Sequence, residues 1–400
     1  MPALDGLRGC AVLMVMLYHF TAALEHPVSL GGALVRKAFS GGWIGVDLFF
    51  VLSGYLITGI LFDAKGANEE GEGRRTPARR YFGAFYGRRA LRIFPLYYGV
   101  LALLFVVVPV ALALGGTAPS PAYARLAAAQ GWFWSYLVNF LAIHPDPYGV
   151  GHFWSLAIEE QFYLVWPLVI WLCSRERALL VCAVCATGAL IFRCAALAAG
   201  LDAGSVYAFT PGRLDGLAAG AALALIQRGP VGLAPLRSAV RPCVYAALAV
   251  LLSIVLRLRF LNAFDVQTQT VGFTATALLF GAVLLGVLTA LPAAPERRAL
   301  ERPTLRFFGR YSYALYVFHQ PLVPLAARAG VTPAAAGRLL HSEALGLVAY
   351  TGVMLLASVG LALASWHLYE KHFLRLKKRF SYTERRPLVI GAPAEVRAAA

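Results

Sequence analysis

Arg8 and His19 are the first residues in this chain that could act together chemically. They stand eleven positions apart in the apolar stretch Leu7 to Leu24. At about 100° and about 1.5 Å per residue, that spacing makes roughly 1100° and roughly 16 Å. In a helix the two side chains would share one face, with His19 about half a bilayer deeper than Arg8. Ionisable groups in apolar helices are costly and usually face a bundle interior or an aqueous cavity. An imidazole so placed can act as a base, or can simply be a buried group bonded to a neighbouring helix.

Arg88, Arg89 and Arg92 fall in RRALRIFPLYY at the mouth of a later apolar run. Arg89 and Arg92, three apart, lie on nearly the same helical face. Guanidiniums grouped this way suit the paired hydrogen bonds of a phosphate, although basic residues also gather at cytoplasmic helix ends for topological reasons. Glu159 and Glu160, in GHFWSLAIEEQFYLVWP, sit roughly 9–11 Å inside their run at helical rise, near the level of His19. One of them could orient and charge-balance an imidazole while the other meets an arginine. Asp47, in GVDLFFVLSGYLIT, is equally suited to capping, to an ion pair or to catalysis. Arg213 and Asp215, in GRLDGLAAG, read as a local pair at an outer helix start, where Asp215 also suits the positive helix end. His319, in YSYALYVFHQP, reads as a lone, packed imidazole beside Gln320. His152 could meet an acceptor substrate or act as a solvated cap.

The elements that position these residues are apolar helices. The chain has 400 residues, 59% hydrophobic and only 14% charged, where a soluble domain carries about 25% charged residues. The mean hydropathy is +0.66. The fold expectation is an all-α polytopic membrane protein of about ten transmembrane helices, at about 8–24, 43–62, 91–114, 153–173, 178–199, 214–227, 242–257, 270–291, 307–328 and 344–368. Residues 132–143 are too short to span and read as interfacial or re-entrant. Gly41-x-x-x-Gly45 and Gly216-x-x-x-Gly220 suit close helix approach.

The net charge of +16 does not indicate a nucleic-acid binder, because the basic residues sit in short loops between apolar runs. With the N-terminus inside, 27 Lys+Arg fall on the inner side and 8 outside, with Arg193 inside the fifth run. Both termini are therefore expected in the cytoplasm and the protein in the inner (plasma) membrane. A cleavable signal peptide is not expected, since cleavage after the first run would discard Arg8 and His19. Residues 1–370 read as one membrane domain. Residues 371–400 read as a basic tail meeting anionic lipid and disordered beyond Pro387, and 63–80 as a flexible cytoplasmic loop. The six cysteines form neither a disulfide framework nor a zinc pattern, and no metal site is expected.

Taken together, LDGLRGCAVLMVMLYHF, GVDLFFVLSGYLIT, RRALRIFPLYY, HFWSLAIEEQFYLVWP, RLDGLAAG and YSYALYVFHQP resemble the acyltransferase 3 family of integral-membrane O-acyltransferases, over Pro2 to Tyr369. The resemblance implies a ten-helix domain moving an acyl group, commonly acetyl, from cytoplasmic acyl-coenzyme A to a hydroxyl. The acceptor would be a cell-envelope saccharide or a small secondary metabolite. It places the essential histidine at His19, its arginine at Arg8 and the Arg-x-x-Arg pair at Arg89 and Arg92. Acyl-coenzyme A (acetyl-CoA) is then a co-substrate, with no permanently bound cofactor. Members with a fused extracytoplasmic domain carry a long C-terminal extension, so a second transfer step would here use a separate extracytoplasmic transferase. The rival reading is a proton-coupled transporter or flippase using the same buried groups, weakened by the lack of an internal repeat.

Overall fold

The computed structural model describes residues 1–66, 77–141, 146 and 148–382. Most of the expected loop at 63–80, the end of the 132–143 piece and the chain beyond Pro387 lie outside the described residues. Among those residues the protein is all-helical. The main helices are α1 (Pro2–Ala22), α2 (Leu30–Phe39), α3 (Gly45–Gly66), α4 (Ala78–Ala102), α5 (Phe153–Leu172), α6 (Arg175–Ala198), α7 (Leu214–Gln227), α8 (Val240–Leu258), α9 (Phe273–Thr289), α10 (Pro303–Arg328) and α11 (Glu343–Ser365).

Every expected apolar run falls on a helix, and seven described helices have the length and composition to cross a membrane. Helices α5, α7 and α10 fall outside that group. The 14 residues of α7 reach only about 21 Å of a roughly 30 Å hydrocarbon core. Helix α5 carries Glu159 and Glu160, and α10 carries Arg306 and Arg310. The protein is a multi-pass membrane protein, with seven described helices of crossing length and composition. The amphipathic α2, capped by Ser29 through its bond from the Gly32 amide, was not expected. Residues 130–140 form a short helix and a 3₁₀ turn rather than a span.

Helix α1 starts with proline at its first position and Asp5 in its first turn, both favourable at a helix N-terminus. It lies against α10 in parallel, Gly9 meeting Leu305 and His19 meeting His319, while Gly6 meets Leu300 just before α10. Glycines set this approach: a Cβ at Gly9 would overlap the Leu305 carbonyl, and one at Gly309 the Asp5 carbonyl. Helices α3 and α7 pack the same way through Gly54 and Gly220, as small residues allow in membrane helix pairs. Gly9→Val is therefore expected to cost about 2–3 kcal/mol by overpacking. The check is a thermal melt of detergent-purified protein, in which an unshifted midpoint would contradict the contact.

Candidate active site

Two cavities lie inside the helices. The inner one, about 240 Å³, is lined by Arg8 of α1, Arg88, Arg89 and Arg92 of α4, and Glu159 and Glu160 of α5. Ser53 donates to the Glu159 carboxylate, and Tyr163 donates to Ser53 at 3.0 Å. The Arg89 guanidinium lies 5.2 Å from the centroid of the Tyr163 ring, a cation–π contact that fixes its fork. Glu160 Oε1 and Ser312 Oγ are buried without a hydrogen bond among the described residues. Buried polar atoms left unpaired call for a partner, and both residues line this cavity.

The stretch read as a basic tail also builds this cavity. Residues 371–375 and 376–379 are helical, and Lys377 and Tyr382 line the inner space beside the arginines. Arg88 donates to the Phe380 carbonyl at 3.2 Å. Burial raises the Tyr382 phenol above its ordinary pKa, against the pull of Arg89 and Arg88, which keeps it a neutral donor. No pattern in the basic run Lys371 to Arg379 distinguished Lys377 from residues facing lipid.

The outer cavity, about 190 Å³, is lined by His19, His152, Trp43, Trp154, Tyr207 and Gln320, among others. Val46 and Tyr316 line both cavities, so the two spaces meet back to back at these side chains. The Tyr316 hydroxyl donates to the His152 carbonyl at 3.2 Å and lies 2.5 Å from Ser155 Oγ.

The carboxylate expected beside the imidazole is not there. Among the described residues, His19 Nδ1 meets the Val15 carbonyl at 3.0 Å and His319 Nε2 at 3.1 Å, while Glu159 and Glu160 stay in the inner cavity. His319 is neither lone nor exposed to substrate. It is fully buried, and its Nδ1 lies 2.7 Å from the Tyr316 carbonyl. A carbonyl can only accept, so His319 Nδ1 carries the proton and Nε2 the lone pair. His19 must then donate from Nδ1, which leaves its own Nε2 unprotonated, the arrangement a base requires. His152 is no solvated cap either: it is buried, and its Nε2 donates to the same Tyr316 carbonyl at 2.9 Å. That leaves His152 Nδ1 buried without a partner among the described residues. Pro321 and Pro324 remove two backbone donors from α10 near this turn.

Arg213 and Asp215 do not form the expected local pair, Asp47 takes the ion-pair role it was suited to, and none of the three lines either cavity. Arg213 Nη2 reaches across to Asp47 Oδ1 at 2.8 Å, and Asp215 Oδ2 takes Arg193 Nη1 at 2.8 Å. Asp215 also holds the Gly216 amide at the start of α7. Arg193 further donates to Thr274 at 2.7 Å, beside the π turn Thr268–Gly272 that leads into α9. The Arg213 guanidinium stacks 4.0 Å from the Phe273 centroid and 5.5 Å from that of Trp154. This crossed set of ion pairs stands behind the outer cavity and braces Trp154 and Tyr207, which line it. Arg193, left unassigned in the sequence, is its deepest member. A lone arginine within an apolar run was the available signal, since such a charge demands a buried partner.

The model of an acyltransferase domain matches residues 1–366. The chain is similar to YrhL of Bacillus subtilis, 31% identical over 342 residues that make up 81% of this chain and 49% of that protein. It is also similar to the peptidoglycan O-acetyltransferase OatA of Listeria monocytogenes, 28% identical over 338 residues, 81% of this chain and 49% of that one. The O-acetyltransferase OatA of Staphylococcus aureus is 29% identical over 344 residues, 81% of this chain and 50% of its own length. The chain thus spans about half the length of the curated relatives it matches. No solved structure matches it.

Proposed function

The chain belongs to the acyltransferase family whose domain covers residues 1–366, and from that premise we propose that it moves an acetyl group from acyl-coenzyme A in the inner cavity to a saccharide hydroxyl in the outer one. The observation that carries this reading is the meeting of the two cavities at Val46 and Tyr316, guanidiniums on one side and the His19 ring on the other. Arg88, Arg89 and Arg92 hold the donor's phosphates as charge-assisted pairs, with Arg8 further along the same space. The pantetheine arm brings its thioester to Tyr316, which must swing aside to pass it. The acceptor lies on Trp154 and Tyr207, with one of its hydroxyls donating to His152 Nδ1. As the reacting hydroxyl oxygen attacks the thioester carbon, its proton passes to His19 Nε2. The new C–O bond forms, the C–S bond breaks, and the same proton goes on to the departing sulfur. Such positioned proton transfer typically contributes about 10²- to 10⁴-fold in rate.

OatA of Listeria monocytogenes is a peptidoglycan O-acetyltransferase, which supports a peptidoglycan-type saccharide as the acceptor class. An aromatic cavity with a few polar groups suits one sugar ring. The inner face is the cytoplasmic one, in line with the basic residues gathered there.

The test is turnover of labelled acetyl-CoA by the purified protein. Wild-type protein is expected to release free coenzyme A and label a saccharide acceptor. The double variant Arg89→Ala and Arg92→Ala is expected to raise the acetyl-CoA KM by about tenfold or more, each lost charged pair being worth about 1.5–3 kcal/mol at most. An unchanged KM would return these arginines to topology. Flux across vesicles without turnover would make the protein a carrier.

A further inference from the structure

The outer cavity continues into a larger groove. Tyr18, Trp43, Ala263 and Phe264 line both, and the groove adds about 430 Å³. Its charged lining is Arg36 and Lys37 from the last turn of α2, and Arg259 at the C-terminal cap of α8. No carboxylate lines it among the described residues. The acid nearest in sequence to Arg259, Asp265, is taken by Arg257 at 2.9 Å. Arg36 spends one donor on the Glu25 carbonyl at 2.7 Å, a neutral partner. Lys37 and Arg259 are exposed.

Two arguments set this cluster apart from ordinary surface charge. Basic residues are disfavoured in short outer loops, yet three of the eight Lys+Arg assigned to that side gather at this one groove. Helix α2, which carries two of them, is also held in place: Glu343 at the start of α11 accepts the Val28 amide at 3.0 Å and the Ser29 amide at 2.8 Å. Three like charges held around the groove focus a positive potential that an anion would relieve, while Asp146, the carboxylate lining the adjoining cavity, accepts the Val150 and Gly151 amides. The far end of the same continuous space is His19.

We infer that this groove is an anion subsite of the acceptor, so that the substrate class is a saccharide bearing a phosphate or carboxylate beside the ring that reacts. The inference rests on the transfer reading above. The ring sits among Trp43, Trp154 and Tyr207 with its hydroxyl at His19, and the anion sits between Arg36, Lys37 and Arg259.

The test compares two acceptors with the same ring hydroxyls, α-D-glucose 1-phosphate and methyl α-D-glucoside, using the full chain in phosphatidylcholine nanodiscs with labelled acetyl-CoA. Wild-type protein is expected to favour the phosphate in kcat/KM by about tenfold, the combined effect of a few exposed, partly screened charge pairs. The preference should shrink with added NaCl. In the double variant Arg36→Gln and Arg259→Gln the ratio is expected to approach one. Equal use of the two acceptors by wild-type protein, or a ratio unmoved in the variant, overturns the inference. Phosphatidylglycerol that changes the use of both acceptors in parallel, with no preference between them in its absence, would identify the anion as a lipid headgroup and overturn the acceptor assignment. Coenzyme A release without charge preference sinks this inference alone, whereas no release at all sinks the transfer reading.

Discussion

Replacing His19 by alanine is expected to lower acetyl transfer by about 10³-fold, within the range set by positioned proton transfer, while the protein still purifies as a monodisperse species. The ring is half-buried at the outer cavity, and its Nδ1 is occupied by the Val15 carbonyl and His319. Alanine removes the imidazole to which the transfer reading gives the reacting hydroxyl's proton, so what remains is binding without a base. His319→Gln should behave differently. It leaves His19 in place but removes the acceptor that fixes its tautomer, so about a tenfold loss in kcat with a displaced pH–rate profile is expected and KM for acetyl-CoA should hold. A His19→Ala protein keeping more than about a tenth of wild-type transfer would take the base away from this position. A His319→Gln profile superimposable on wild type would reduce His319 to packing.

How much of this was legible beforehand follows from which interactions are local. Helices were readable because apolar runs of spanning length have few other stable forms in lipid, and the face shared by Arg8 and His19 follows from helical geometry alone. The guanidinium cluster was readable too, since Arg89 and Arg92 are neighbours on a single helix. Pairings between helices were not. His319 lies 16 residues into α10 and His19 17 residues into α1; two parallel helices bring those positions to one level, but nothing in one sequence says that α1 and α10 are parallel partners. The glycines that allow their contact, Gly9 and Gly309, sit 300 residues apart. The same gap explains Arg213. Its nearest acid in sequence is Asp215, two residues away, where side chains on a helix point apart. The partner it takes, Asp47, lies 166 residues upstream.

That crossed pairing carries the largest stability effect expected of any single change. Asp47 and Arg213 are almost wholly buried, at 2% and 1% exposure, and Arg213 is surrounded by Phe273, Tyr207, Trp154 and Phe50 rather than by water. Removing the carboxylate with Asp47→Ala leaves a guanidinium that can neither reach solvent nor shed its charge. Breaking one side of a buried pair typically costs about 3–5 kcal/mol. Burying the pair was itself costly, so the pair as a whole is worth far less than that. The double variant Asp47→Ala with Arg213→Met is therefore expected to recover more than half of the loss, a coupling read directly from a double-mutant cycle of thermal melts. Additive losses would show that Arg213 does not depend on Asp47 and that the aromatic ring set alone holds it. Because Trp154 and Tyr207 stand on this charge and line the outer cavity, the single variant should also weaken acceptor use more than donor use. The double variant should regain stability without regaining that acceptor selectivity, since methionine cannot hold both rings as the planar cation does.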